Sequence, residues 1–127
     1  MPMILPEELA SKSVIPAIRA LIVKRLVVEH GMTQQEAAKL LGVTQPAVSK
    51  YLHQKRGAAI RLGGIKEVER ATSNIADMVS SRKVPAIEVM SKIEETCEYV
   101  RRHRFMCDLH KRLEPGMDVN SCHICEQ

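Results

Sequence analysis

Four cysteines stand at positions 97, 107, 122 and 125, all in the second half of the 127-residue chain. Cys122-His123-Ile124-Cys125 is a CxxC knuckle, whose turn brings two thiolates to one point where they could chelate a metal or an iron-sulfur cluster. A redox-active disulfide is the rival reading. Such motifs usually begin a helix after a strand, a context this one lacks. Two four-ligand sets can be built. One uses Cys97, Cys107, Cys122 and Cys125, spaced C-x9-C-x14-C-x2-C. That spacing is irregular for Zn²⁺ and easier for an iron-sulfur cluster, which tolerates varied loops between its thiolates. The other set joins Cys107 and His110, a CxxH, to Cys122 and Cys125, leaving Cys97 as a small buried hydrophobe; its paired spacing suits Zn²⁺.

The four-cysteine set carries a geometric condition. On one unbroken helix Cys97 and Cys107 would lie about 15 Å apart along the axis and on different faces. A break must separate them, and Arg102–Phe105 is where we place it. The basic run Arg101–Arg104 would then offset the negative charge of a thiolate-ligated centre.

Catalytic chemistry finds little support. Glu94, Glu95 and Glu98 share a polar helix face without a partner at general acid-base spacing. His30, His53, His103, His110 and His123 are scattered. There is no Gly-rich phosphate loop, no HExxH and no Ser/His/Asp set, so no catalytic residue is assigned. A thiol-disulfide enzyme using Cys122 and Cys125 is the enzymatic alternative.

A second group of residues has chemistry suited to reading DNA. The stretch TQQEAAKLLGVTQPAVSKYLH, Thr33 to His53, reads as two short helices around a tight turn. Thr33 and Glu36 form a capping box. Ala37, Ala38, Leu40 and Leu41 give the first helix its apolar face, and Gly42 ends it through a left-handed C-cap. Thr44 caps the second helix, and Pro46 is tolerated in its first turn. Val48, Tyr51 and Leu52 face inward, leaving Gln45, Ala47, Ser49 and Lys50 outside. Gln45 has the amide to read adenine, Ser49 can donate or accept, and Lys50 can reach guanine or a phosphate. Thr33 and Thr44 put backbone amides near phosphates, and Lys55 and Arg56 follow in a basic exit loop. A plain helical hairpin inside a bundle is the bland alternative; the polar face and basic flanks favour DNA.

Composition bounds the rest. Hydrophobic residues make up 45% of the chain but aromatics only 2%, so the core is aliphatic and suits packed helices. Stacking on single-stranded nucleic acid lacks the rings it needs. The net charge is +4. Up to Leu62 there are nine Lys and Arg against four Asp and Glu, and after it ten against eleven. The positive excess therefore travels with the helix-turn-helix, as phosphate contact requires. No signal peptide or membrane span is visible, which gives a cytoplasmic expectation, and cytosolic cysteines favour metal or redox chemistry over structural disulfides.

The expected architecture is all-α. One helical turn around Glu7–Ser11 precedes a helix from Pro16 to about Glu29, with Ile18, Leu21, Ile22 and Leu26 as its core stripe. Ala58–Leu62 reads as a strand or one more helical turn. Gly63-Gly64 divides a DNA-binding region, 1–62, from a helical and cysteine-bearing region, 63–127. Ile65, Val68, Thr72, Ile75 and Val79 form a stripe that is either an internal packing face or a dimer seam. The seam is favoured, because such proteins read two half-sites as dimers. Pro85 opens a last long helix with the stripe Ile87, Met90, Ile93, Cys97 and Val100, and Pro115-Gly116 turns the tail.

The phrase EAAKLLGVTQPAVSKYL resembles the lambda-repressor-like, or XRE-type, DNA-binding family, most strongly over Ala17–Arg56. Taken with LPEELASKSVIPAIRALIVKRLVVEHGMTQ and CDLHKRLEPGMDVNSCHIC, the chain looks like a group of archaeal XRE-type regulators in which a four-cysteine module follows the helix-turn-helix. The resemblance implies a transcription regulator with an iron-sulfur or zinc centre, and with the helix-turn-helix reading the expected partners are double-stranded DNA and a second copy of the chain, a homodimer. Four thiolates would complete a [2Fe-2S] cluster without an outside ligand, which is our expectation, with Zn²⁺ as the alternative.

Overall fold

The computed structural model describes residues 3–126. Its seven α-helices are α1 (Pro6–Lys12), α2 (Val14–Lys24), α3 (Gln34–Leu41), α4 (Gln45–Leu52), α5 (Lys66–Ser81), α6 (Ala86–Arg102) and α7 (Cys107–Leu113). One π-helical turn, Arg25–Glu29, extends α2, and a single 3₁₀ turn covers Ile124–Glu126. No strand occurs among the described residues, so the expected all-α class holds.

Helix α1 starts on Pro6, with Glu7 and Glu8 in its positive-ended first turn. At its junction with α2 the buried Ser13 hydroxyl donates to the Leu9 carbonyl, so the kink satisfies its own polar group. Helix α2 starts two residues before Pro16 and is the central column. Ile18, Ile22 and Leu26 are fully buried as expected, joined by Val14, Ala17 and Val23, while Leu21 is only half-buried. The π turn closes through the His30 N–H on the Arg25 carbonyl, 3.1 Å, and Gly31 leaves it with φ +67°.

Around α2 pack α1, α4, α5 and α6. One hydrophobic cluster runs from Leu9 to Leu109. Ala58–Leu62 is neither strand nor helix. It is an irregular loop whose Ile60 and Leu62 drop into the core, and backbone shape there follows from two anchors rather than from a period.

The stripe on α5 is the internal face and not a free seam. Val68, Thr72, Ile75 and Val79, with Ala76, are buried against α2, the π turn and α6. Periodicity shows that a face is apolar, and the same spacing serves either partner. In α6 the stripe is real only in its second half: Cys97 and Val100 are buried, but Ile87 and Met90 are 71% and 57% exposed.

Candidate nucleic-acid interface and cysteine cluster

Thr33 caps α3, its Oγ1 accepting the Glu36 N–H at 3.1 Å. The return bond differs from a capping box, since the Thr33 hydroxyl itself donates to Glu36 Oε1, 3.2 Å. Gly42 adopts φ +70°, and the Val43 N–H then reaches the Ala38 carbonyl at 3.0 Å. Ala37 and Ala38 are buried. Their small size lets α3 and α4 approach, and a larger residue would wedge them apart. Thr44 caps α4 through the Ala47 N–H at 3.2 Å, with Pro46 in the first turn.

On α4, Gln45, Pro46 and Lys50 are exposed and Ser49 is half-exposed, whereas Val48 and Tyr51 are buried. Ala47 is a correction. It is only 8% exposed and belongs to the inward side, so the outward face is Gln45, Pro46, Ser49 and Lys50. Ala47 follows Gln45 by two positions, about 200° around the helix, which turns it from solvent.

The basic exit loop folds back on α4. The N–H groups of Lys55 and Arg56 both donate to the Lys50 carbonyl, at 2.9 and 3.3 Å, and both side chains stay exposed. The Arg56 guanidinium lies 5.9 Å from the Tyr51 ring centroid. Gly57 fixes this loop to α2. At φ +81° a Cβ there would stand 2.5 Å from the Pro16 carbonyl oxygen, so no other residue fits unmoved. Nothing in the sequence pattern marks that contact, because it joins residues far apart in the chain.

The four cysteines are free thiols. Between Cys97 and Cys107 the helix breaks where the four-cysteine set demands it. Helix α6 ends at Arg102, Arg104 takes the left-handed φ +65°, and the Phe105 N–H closes on the Val100 carbonyl at 3.1 Å. Arg104 then does more than supply charge. Its guanidinium donates to the carbonyls of Val119 and Cys122, the latter at 2.6 Å, and to Glu126 Oε1 at 2.7 Å. It thereby fastens the CxxC tail to the helix break. That bond, followed by one from His123, holds the Glu126 carboxyl below the usual range.

The thiol of Cys107 is pushed up by burial, drawn down by Arg104 and pushed up again by its neighbours Cys125 and Cys122. Cys97 and Cys125 line a common cavity of about 450 Å³ with Ile15, Glu94, Glu98 and Arg101. Burial, then Glu94, pushes the Cys97 thiol up to about 11 against the pull of Arg19 and Arg101. Among the described residues no three His, Cys, Asp or Glu side chains already stand at metal-holding geometry. His110 is buried, and its Nε2 lies 3.5 Å from Glu114 Oε1 without a hydrogen bond. Glu114 in turn accepts the Ile4 N–H at 2.9 Å.

No helix among the described residues is long and apolar enough to cross a membrane. No curated protein and no solved structure matches the chain. Residues 19–63, about a third of the chain, match the family described as Cro; with the geometry of α2–α4 this makes the fold a lambda-repressor-like helix-turn-helix and supports a DNA-binding transcription regulator.

Proposed function

We propose that this protein is a sequence-specific, homodimeric transcription regulator that lays the Gln45–Lys50 face of α4 in the major groove of double-stranded DNA. The observation that carries the reading is the capped α3–turn–α4 pair, with a polar outward face and a basic exit, inside the Cro match. Thr33 and Thr44 present the first-turn amides of their helices to phosphates, and Lys55 and Arg56 add charge beside them. Dimerism rests on the logic of paired half-sites, about 34 Å apart or a multiple. Selection from a random duplex pool tests the reading. A pseudo-palindromic motif is the expected result, and no enrichment over input would overturn it.

The second part of the proposal is that Cys97, Cys107, Cys122 and Cys125 hold one [2Fe-2S] cluster per chain and make the regulator responsive to iron or redox state. The helix break at Arg104, its hold on the Cys122 carbonyl and the cavity shared by Cys97 and Cys125 support that ligand set, whereas the Glu114-facing His110 disfavours the zinc CxxH/CxxC set. Such a cluster would supply one-electron chemistry and a centre lost when iron is scarce. The chain's own part is to release four thiol protons, to set Arg104 and Arg101 against the resulting negative charge, and to close the tail over the site. Anaerobic purification with iron, sulfide and zinc analysis tests this. Each Cys→Ala change should abolish the centre and His110→Ala should spare it. Stoichiometric zinc in colourless protein, lost in His110→Ala and kept in Cys97→Ala, would establish the zinc site instead.

A further inference from the structure

Glu36 stands in the first turn of α3, at the helix end that the DNA-binding reading turns toward the phosphate backbone. A bare carboxylate there would repel phosphate, so what neutralises it bears on the interface. One oxygen takes the Thr33 hydroxyl at 3.2 Å. The other takes Arg82 Nη2 at 3.0 Å, from a residue 46 positions away at the end of α5. Arg82 is the C-cap of α5 and adopts φ +62°, a conformation that glycine or asparagine enters more cheaply. Both side chains remain about half exposed, at 56% and 47%. Lys83 follows, exposed, its N–H held by Ser81 Oγ at 3.2 Å, and it makes no ion pair among the described residues. Arg82 thus stands against the carboxylate at the cap of α3, with the exposed Lys83 next to it in the chain, and both come from outside the matched helix-turn-helix.

We propose that the turn between α5 and α6 is a second phosphate-binding element of the DNA interface, with Arg82 and Lys83 as its ligands for the duplex backbone. It rests on the DNA-binding reading above. Arg82 screens Glu36 and offers its remaining N–H donors to a phosphate oxygen beside Thr33. A guanidinium can serve a carboxylate and a phosphate together, since its five donors fork outward. Lys83 acts as a point charge next to it. Contacts of this kind are indifferent to base sequence, so they strengthen binding to every duplex alike and place the α5–α6 pair against the DNA.

The test is the salt dependence of binding to a mixed-sequence duplex, for which no target site is needed. Each lost phosphate contact lowers the slope of log K against log salt by about 0.9. Arg82→Ala and Lys83→Ala should each lower it by that amount, and the double variant by about twice as much. Arg82→Lys, which keeps the charge, should restore most of the slope. Glu36→Gln, which frees Arg82 without removing it, should keep the slope or raise it. Unchanged slopes in both alanine variants, with Lys50→Ala still weakening binding, would overturn the second element and leave the α4 reading standing. The absence of any salt-dependent binding by the unaltered protein would overturn both. A purely structural tie between Arg82 and Glu36 predicts that Glu36→Gln and Arg82→Ala lower the melting temperature equally and that neither changes the slope. That result also overturns the proposal.

Discussion

Ala47 and Gln45 sit two positions apart on α4 and face opposite ways, one 8% exposed and the other open to solvent. The helical period could have separated them, but alanine is small enough to suit either side, so its type carried no warning. Gln45, Ser49 and Lys50 were legible because polar side chains on a capped helix have few alternatives to solvent or a ligand. Cys97 shows the same limit from the other direction. Its spacing with Val100 marks a buried position, yet burial is what pushes its thiol up to about 11. At pH 8 a thiol of that acidity is thiolate in about one molecule in a thousand. In the reduced, metal-free protein, iodoacetamide should therefore label Cys122 and Cys125 well before Cys97, as peptide mass mapping would show. Equal labelling of Cys97 in the folded protein would contradict its placement in the core.

The elements were readable wherever a local signal ends them. Thr33, Gly42 and Thr44 bound α3 and α4 through bonds made within a few residues, which sequence can show. The break after Arg102 was readable for a different reason, since four charged or titratable residues in a row resist a helix interior. The Ala58–Leu62 loop was not, because its shape comes from Gly57 meeting Pro16 and from Ile60 and Leu62 reaching the core. Gly57→Ala tests that element. The clash and the positive φ should lower stability by more than about 1 kcal/mol, read as a melting temperature lower by about 4 °C or more. An unchanged melting temperature would show that the loop moves off α2 freely.

At the scale of the whole molecule, the two halves that Gly63-Gly64 separates in sequence share one hydrophobic cluster, with α5 lying along α2 and its π turn. His30 Nε2 and Asp77 Oδ1 stand 3.1 Å apart across that contact, and Arg82 and Glu36 join α5 to α3. Which surface an apolar stripe covers is a property of the assembled chain, so the α5 stripe could be recognised without its partner being known. Ile75, 1% exposed, decides the matter in solution. Ile75→Ala should lower stability by about 2–5 kcal/mol while leaving the mass by light scattering unchanged. A shift in mass with unchanged stability would put the α5 face between subunits after all. Base reading by α4 is tested most directly by Gln45→Ala. Binding of the unaltered and variant proteins should be compared on the selected site and on duplexes changed one base pair at a time. Gln45→Ala should lose about 1–3 kcal/mol of discrimination at a single adenine position and keep its preferences elsewhere. Equal weakening on every duplex would contradict the claim, and would make Gln45 a residue that only holds the helix in place.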